Sequence, residues 1–300
     1  MRLKSKIFYG YALFVIIYSM CTLVPSPSAA TLAKYHLQPT GLRLLDLTLL
    51  VPIFVMWFAV FYGYSRLHKY GQLIKANHDG QQVSKLAKGL LAFALGLPLG
   101  SILSSLFQLI IRSHPGFTAA STIISNYVGI VYTLIGFVYI SKGTRGLGER
   151  SKTAPSFGFL NTVALIVIVL GVIFCDLIAR SHHNLIATYH MSYSLVMLTF
   201  AVPYMYIWFL GLFAVAGMYA YSKHVGGVVY RKGWNRLAFG LGMIIVLNIL
   251  LQYLDTLSSW INGLSLSGIL LVLYVLLLGL AAGFIVVALG TKELIKIEEA

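Results

Sequence analysis

Asn248, Gln252 and Asp255 stand at i, i+4 and i+7, the spacing that lines polar side chains along one face of a helix. Two amides and a carboxylate offer hydrogen-bond acceptors, donors and one negative charge. That chemistry holds a polar or ionic group. The residues around them are apolar, and an unpaired polar group in such surroundings costs about 1–3 kcal/mol. The stripe therefore has to face the interior of a helical bundle or a wet cavity. Ser101, Ser104, Ser105 and Gln108 make a second polar set, and Asn126 is placed to join it.

Only eight residues are acidic. Asp79, Glu149, Glu293, Glu298 and Glu299 lie near clusters of Lys and Arg. Asp46, Asp176 and Asp255 lie apart from them, with Arg43, Arg112 and Arg180 as available counter-ions. A vestibule for a polar or ionic group is one reading of these three; interfacial salt bridges and helix caps are the other. None of the eight histidines falls in the middle of an apolar block, where a haem in a bundle would need its ligands. No His-Glu-x-x-His, Gly-x-Ser-x-Gly or Walker motif occurs. These residues assign no metal, no cofactor and no catalytic group.

The elements that position these groups follow from hydropathy. Hydrophobic residues make up 59% of the 300, charged residues 10%, and mean hydropathy is +0.85. A soluble domain carries about a quarter charged residues. The apolar residues come in blocks long enough to cross roughly 30 Å of hydrocarbon. Their continuity excludes a β-barrel, whose strands alternate. The blocks predict an all-α integral membrane protein with eight transmembrane helices, near 7–24, 44–64, 89–111, 119–141, 158–179, 193–221, 237–257 and 265–289.

The chain also resembles itself. Leu47-Thr48, Val51-Pro52 and Trp57-Phe58 recur 151 positions later as Leu198-Thr199, Val202-Pro203 and Trp208-Phe209. The same offset relates Tyr70 to Tyr221 and Gly89-Leu90 to Gly240-Leu241. Upstream the offset is 154, carrying Cys21 onto Cys175; downstream it is 147, carrying Gly136-Phe137 onto Gly283-Phe284. A solenoid repeats at far shorter periods. The expectation is two four-helix repeats, residues 1–148 and 149–300. An even number of spans makes them parallel, with the same topology.

Charge orients this bundle. Four of the 22 Lys and Arg (Lys34, Arg43, Arg112 and Arg180) fall on one side, and the other 18 on the side of both termini. By the positive-inside rule both termini are cytoplasmic, and the chain is a multi-pass protein of the plasma membrane. The net charge of +14 is thus a topology signal. No segment is long enough for a folded basic domain, so nucleic acid is excluded as a partner. Basic residues before the first apolar block imitate a secretory signal, but the match of that block to the fifth argues that it is retained.

Pro52 and Pro203 fall inside helices two and six. Each leaves without a donor the carbonyl four residues earlier, on Thr48 and Thr199. The pair reads as a hinge or as a static kink. Gly96-x-x-x-Gly100 and Gly279-x-x-x-Gly283 allow close helix approach, and the second is assigned to a contact between repeats or with a partner helix of another subunit.

Taken together, the residues point to binding or translocation of a small molecule or lipid at the repeat interface. The candidate ligands to it are Asn248, Gln252, Asp255, Ser101, Ser105, Gln108, Asn126 and Asp176. A non-catalytic membrane subunit or scaffold is the alternative, because ion-coupled carriers usually bear a mid-span carboxylate. An intramembrane enzyme is the second.

Overall fold

The computed structural model describes residues 39–75, 77–113, 118–150, 157–181, 192–260 and 266–299; 39–50, 78, 97–113, 118–129, 149–150, 157–160, 177, 179–181, 193, 199–200, 255–260, 266–267 and 269–270 are described as backbone alone. The described residues are helical throughout. The long helices are α1 (Pro39–Leu73), α2 (His78–Ser113), α3 (Thr118–Arg150), α4 (Phe157–Ser181), α5 (Val202–His224), α6 (Val228–Trp260) and α7 (Leu266–Glu298). They cover the positions of the second to eighth expected spans. The first span, and Cys21 with it, lies outside the described residues. Among the described residues three segments are long and apolar enough to cross a membrane: Val202–His224, Val228–Leu254 and Leu271–Glu298. The chain is accordingly an integral membrane protein.

Helix is the form apolar blocks must take in lipid, where each backbone N–H and C=O needs a partner within its own segment. Without water to drive association, the helices approach on small residues. A Cβ on Gly89 of α2 would lie 2.7 Å from the Gly136 carbonyl oxygen of α3 and 2.5 Å from Ile140. A Cβ on Gly240 of α6 would lie 2.8 Å from the Gly283 oxygen of α7, and as close to Val287. Gly143 rides in the same way on the Gln82 carbonyl, and Gly290 on that of Gly233. The two pairs α2–α3 and α6–α7 are antiparallel and are the most extensive in the bundle. Thr144 and Thr291 are fully buried, and each hydroxyl donates to a carbonyl of its own helix, Ser141 at 2.9 Å and Val287 at 2.8 Å.

Two further contacts join these pairs. α1 packs beside α7, with Gly63 against the Phe284 carbonyl, and α5 packs beside α3, with Gly211 against Phe137 and Gly217 against Thr144. In both, residue numbers rise together, so these helices run parallel. Phe93 meets Phe137 at 5.0 Å and Phe284 at 6.4 Å, tying the two pairs at the centre. α4 lies outermost, touching α5 and α6 and exposing Leu165, Ile168, Val169 and Val172.

The two prolines stand in different local settings. Pro52 sits inside an uninterrupted α1. The expected sixth span is instead broken: a turn Tyr193–Val196 leads into a π turn, Met197–Ala201, and Pro203 stands at the start of α5. Val202 donates to the Met197 carbonyl, five residues back. Proline's missing N–H and its ring disfavour the i−4 bond to Thr199, and the wider π turn absorbs the mismatch.

Candidate binding site in the bundle interior

One face of α6 carries Trp234, Leu241, Asn248 and Asp255, spaced by seven. The contacts of Trp234 show where that face points. Its ring lies 6.2 Å from Tyr70 of α1 and 4.9 Å from Tyr221 of α5, so the face is turned inward. The matching face of α2 bears Val83 and Leu90, which meet Gly71 and Gly63 of α1.

Along this interior the two ends differ. The end rich in Lys and Arg is sealed. Trp234, Leu237, Leu241, Tyr70, Val83 and Leu90 are all buried there. The Tyr221 hydroxyl donates to Asp79 Oδ2 at 3.2 Å, joining α5 to the start of α2. Tyr230 donates to Glu298 at 3.0 Å, and Lys69 of α1 pairs with Glu299 at 2.5 Å, past the end of α7. Burial, with the Glu298 carboxylate nearby, pushes the Tyr70 phenol well above its ordinary range, so it remains a neutral donor.

Further along the same face the seal gives way to polar groups. Asn248 is half-buried, and its Oδ1 is buried with no hydrogen-bond partner among the described residues. Gln252, half-buried, follows one turn later, then Asp255 on the backbone of α6. Ser101, Ser105 and Gln108 fall on α2 and Asn126 on α3, both described there as backbone; Asp176 lies exposed on α4. Thr48 lies on α1 and Thr199 in the π turn, likewise without described side chains. Asn248 and Gln252 are thus the described side chains of the expected stripe.

A second polar atom lies at the level of Asn248, given the α5–α6 register set by Gly211 against Ile245 and Gly242 against Val215. The Trp208 ring is fully buried, and its Nε1 meets no acceptor among the described residues. Its ring stacks on Tyr253 at 5.7 Å and meets Phe174 at 5.0 Å. The Tyr253 hydroxyl is engaged, donating to the Leu170 carbonyl of α4 at 2.5 Å. The arrangement thus offers hydrogen bonds in an apolar setting and, among the described side chains, no nucleophile paired with a base.

Two placements escaped sequence reasoning. Gly279 and Gly283 meet Leu247 and Ile244 of α6, so their face is occupied within the second pair and not by a partner across the halves. The tyrosine–carboxylate cluster at the basic end was signalled only by the Tyr70–Tyr221 match and by the five acids on that side. Comparison with protein-family models, curated proteins and solved structures finds no match for this chain.

Proposed function

We propose that the chain is an eight-span protein of the plasma membrane, with cytoplasmic termini, built from two parallel four-helix repeats. It binds or passes a small polar molecule or a lipid between them. The repeat is supported by corresponding positions making corresponding contacts: Gly89–Gly136 and Gly240–Gly283, Gly143–Gln82 and Gly290–Gly233, Phe93–Gly136 and Ile244–Gly283. The parallel relation is supported by α1 running with α7 and α3 with α5.

The observation that carries the functional reading is the Asn248 Oδ1, buried with no hydrogen-bond partner among the described residues, on an inward face beyond an aromatic seal. A buried acceptor without a donor is costly to the fold and useful to a ligand. Asn248, Gln252 and Asp255 would hold the polar part, with Ser101, Ser105, Gln108 and Asn126 opposite and the basic end closed.

The test is uptake by vesicles containing the purified chain, over a panel of amino acids, sugars, nucleosides and carboxylates. Mass spectrometry of molecules that co-purify runs beside it. The expected result is one retained or accumulated compound, lost about tenfold in Asn248→Leu or Gln252→Leu, the size of one hydrogen bond. If no compound is bound or accumulated, or if both variants behave as the parent does, the reading falls.

A further inference from the structure

Between α5 and α6 a groove of about 730 Å³ opens on the outside of the bundle, lined by Val215, Tyr219, Asn235, Phe239, Gly242 and Val246 among others. It is almost wholly apolar. Gly242 shapes it, since a Cβ there would meet only Val215, at 3.6 Å. The corresponding positions of the first half carry other residues. Leu91 stands for Gly242, and Tyr64 and His68, whose rings stack at 5.6 Å, stand for Val215 and Tyr219.

The groove has one polar end, at the turn where α5 finishes. Lys223 Nζ sits 4.4 Å from the centre of the Tyr219 ring. Arg231 Nη2 donates to the Lys223 backbone carbonyl at 3.1 Å, which fixes its guanidinium at the end of α5. Among the described residues no carboxylate pairs with either. The Ser222 hydroxyl lies 2.6 Å from the Asn235 side-chain amide and 2.7 Å from the Tyr219 carbonyl, and with its one proton given to either, the Asn235 NH₂ keeps at least one N–H as a donor. An apolar trough ending in two cations and an amide donor complements one kind of molecule: an aliphatic chain with an anionic head.

We propose that this groove binds an anionic phospholipid, one acyl chain along α5 and α6 and the headgroup phosphate on Lys223, Arg231 and the Asn235 amide. A polar solute gains nothing from the trough, and a lipid without net charge gains little from the cations. The site is separate from the interior and does not require it.

Native mass spectrometry of the full chain in mild detergent tests this, with phosphatidylglycerol, phosphatidylcholine of the same acyl chains, and glycerol phosphate as the head alone. Phosphatidylglycerol should be retained over phosphatidylcholine. Lys223→Ala with Arg231→Ala should lower its occupancy about tenfold and leave phosphatidylcholine unchanged. Gly242→Leu, which installs the first half's residue, should lower it with both cations present. Equal retention of the two lipids would overturn the proposal, as would indifference to both variants. Glycerol phosphate binding as well as the whole lipid would do the same. So would a dimer that Gly242→Leu abolishes while lipid occupancy stays constant.

Discussion

In the α2–α3 pair, Gly96 is the small partner and Tyr132 the large one; a Cβ on Gly96 would fall 2.2 Å from the Tyr132 Cβ. At the corresponding level of α6–α7 the sizes are exchanged, with Leu247 on α6 filling the space over Gly279 on α7. Nearer the basic end the exchange runs the other way. Gln82 of α2 lies over Gly146 of α3, whereas at Gly233 of α6, which corresponds to Gln82, the bulk comes from Leu294 of α7. At these two levels one bulky residue faces one minimal one and either helix can supply the bulk, whereas Gly89–Gly136 and Gly240–Gly283 are minimal on both sides. Packing therefore constrains the sum of two side chains and leaves their assignment free.

The sharpest way to break this comparison is at the closest approach. Gly89→Val and Gly240→Val each drive side-chain atoms into a facing backbone, which has no rotamer to yield. Each should cost about 1–3 kcal/mol or more by overpacking. Unfolding of the purified chain in detergent, followed by helical circular dichroism, measures both. If the contacts correspond, the two losses agree; a tolerated Gly240→Val against a damaging Gly89→Val would separate the halves.

The exchange of sizes sharpens it further. Gly96→Leu alone should destabilise, and Gly96→Leu with Tyr132→Gly, which copies the Leu247–Gly279 arrangement, should recover much of the loss. The coupling in that double-mutant cycle should be about 0.5–3 kcal/mol. Additive losses would mean that the exchange seen at Leu247 and Gly279 is not transferable between the pairs.

Much of this was readable beforehand and some was not, for reasons that lie in particular residues. Helix positions follow from apolar blocks because lipid leaves no other backbone form. Helix lengths do not follow. α1 continues to Leu73 and α2 begins at His78, since the helices run on beyond their apolar parts into the basic end. The spacing of Asn248 and Gln252 gave the expectation of an inward polar stripe, because such a stripe cannot face lipid; of the two, Asn248 has its Oδ1 buried. The partner of Gly279 and Gly283 could not be read, because a small-residue motif states that a helix approaches and not which helix. Pro52 and Pro203 have the same neighbours in sequence. Only the three-dimensional context decides that one stays within an α-helix and the other follows a π turn.

A smaller effect tests the proposed site at Asn248. Asn248 corresponds to Leu97, so Asn248→Leu makes the second half more like the first. Removing a buried acceptor that meets no donor among the described residues should leave stability unchanged or raise it by about 1 kcal/mol. The same substitution should lose ligand. A stable variant without binding places Asn248 in the site, whereas a destabilised one makes it a structural residue with a hidden partner.

The smallest expected effect compares a contact across the halves with one inside a half. Lys69–Glu299 joins α1 to the residue following α7, while Arg236–Glu293 joins α6 to α7. Both are partly in solvent: the side chains of the first pair are 38% and 47% exposed, and Glu293 is the least exposed of the four at 26%. Exposed pairs contribute about 0–1 kcal/mol once side-chain entropy and screening are counted. Glu299→Gln should thus shift unfolding barely, Glu293→Gln slightly more, and the difference should shrink as salt shortens the Debye length. If Glu299→Gln instead costs several times as much and salt does not relieve it, the halves are held at the basic end by that carboxylate. The glycine contacts and the aromatic seal around Trp234 would then be secondary to it.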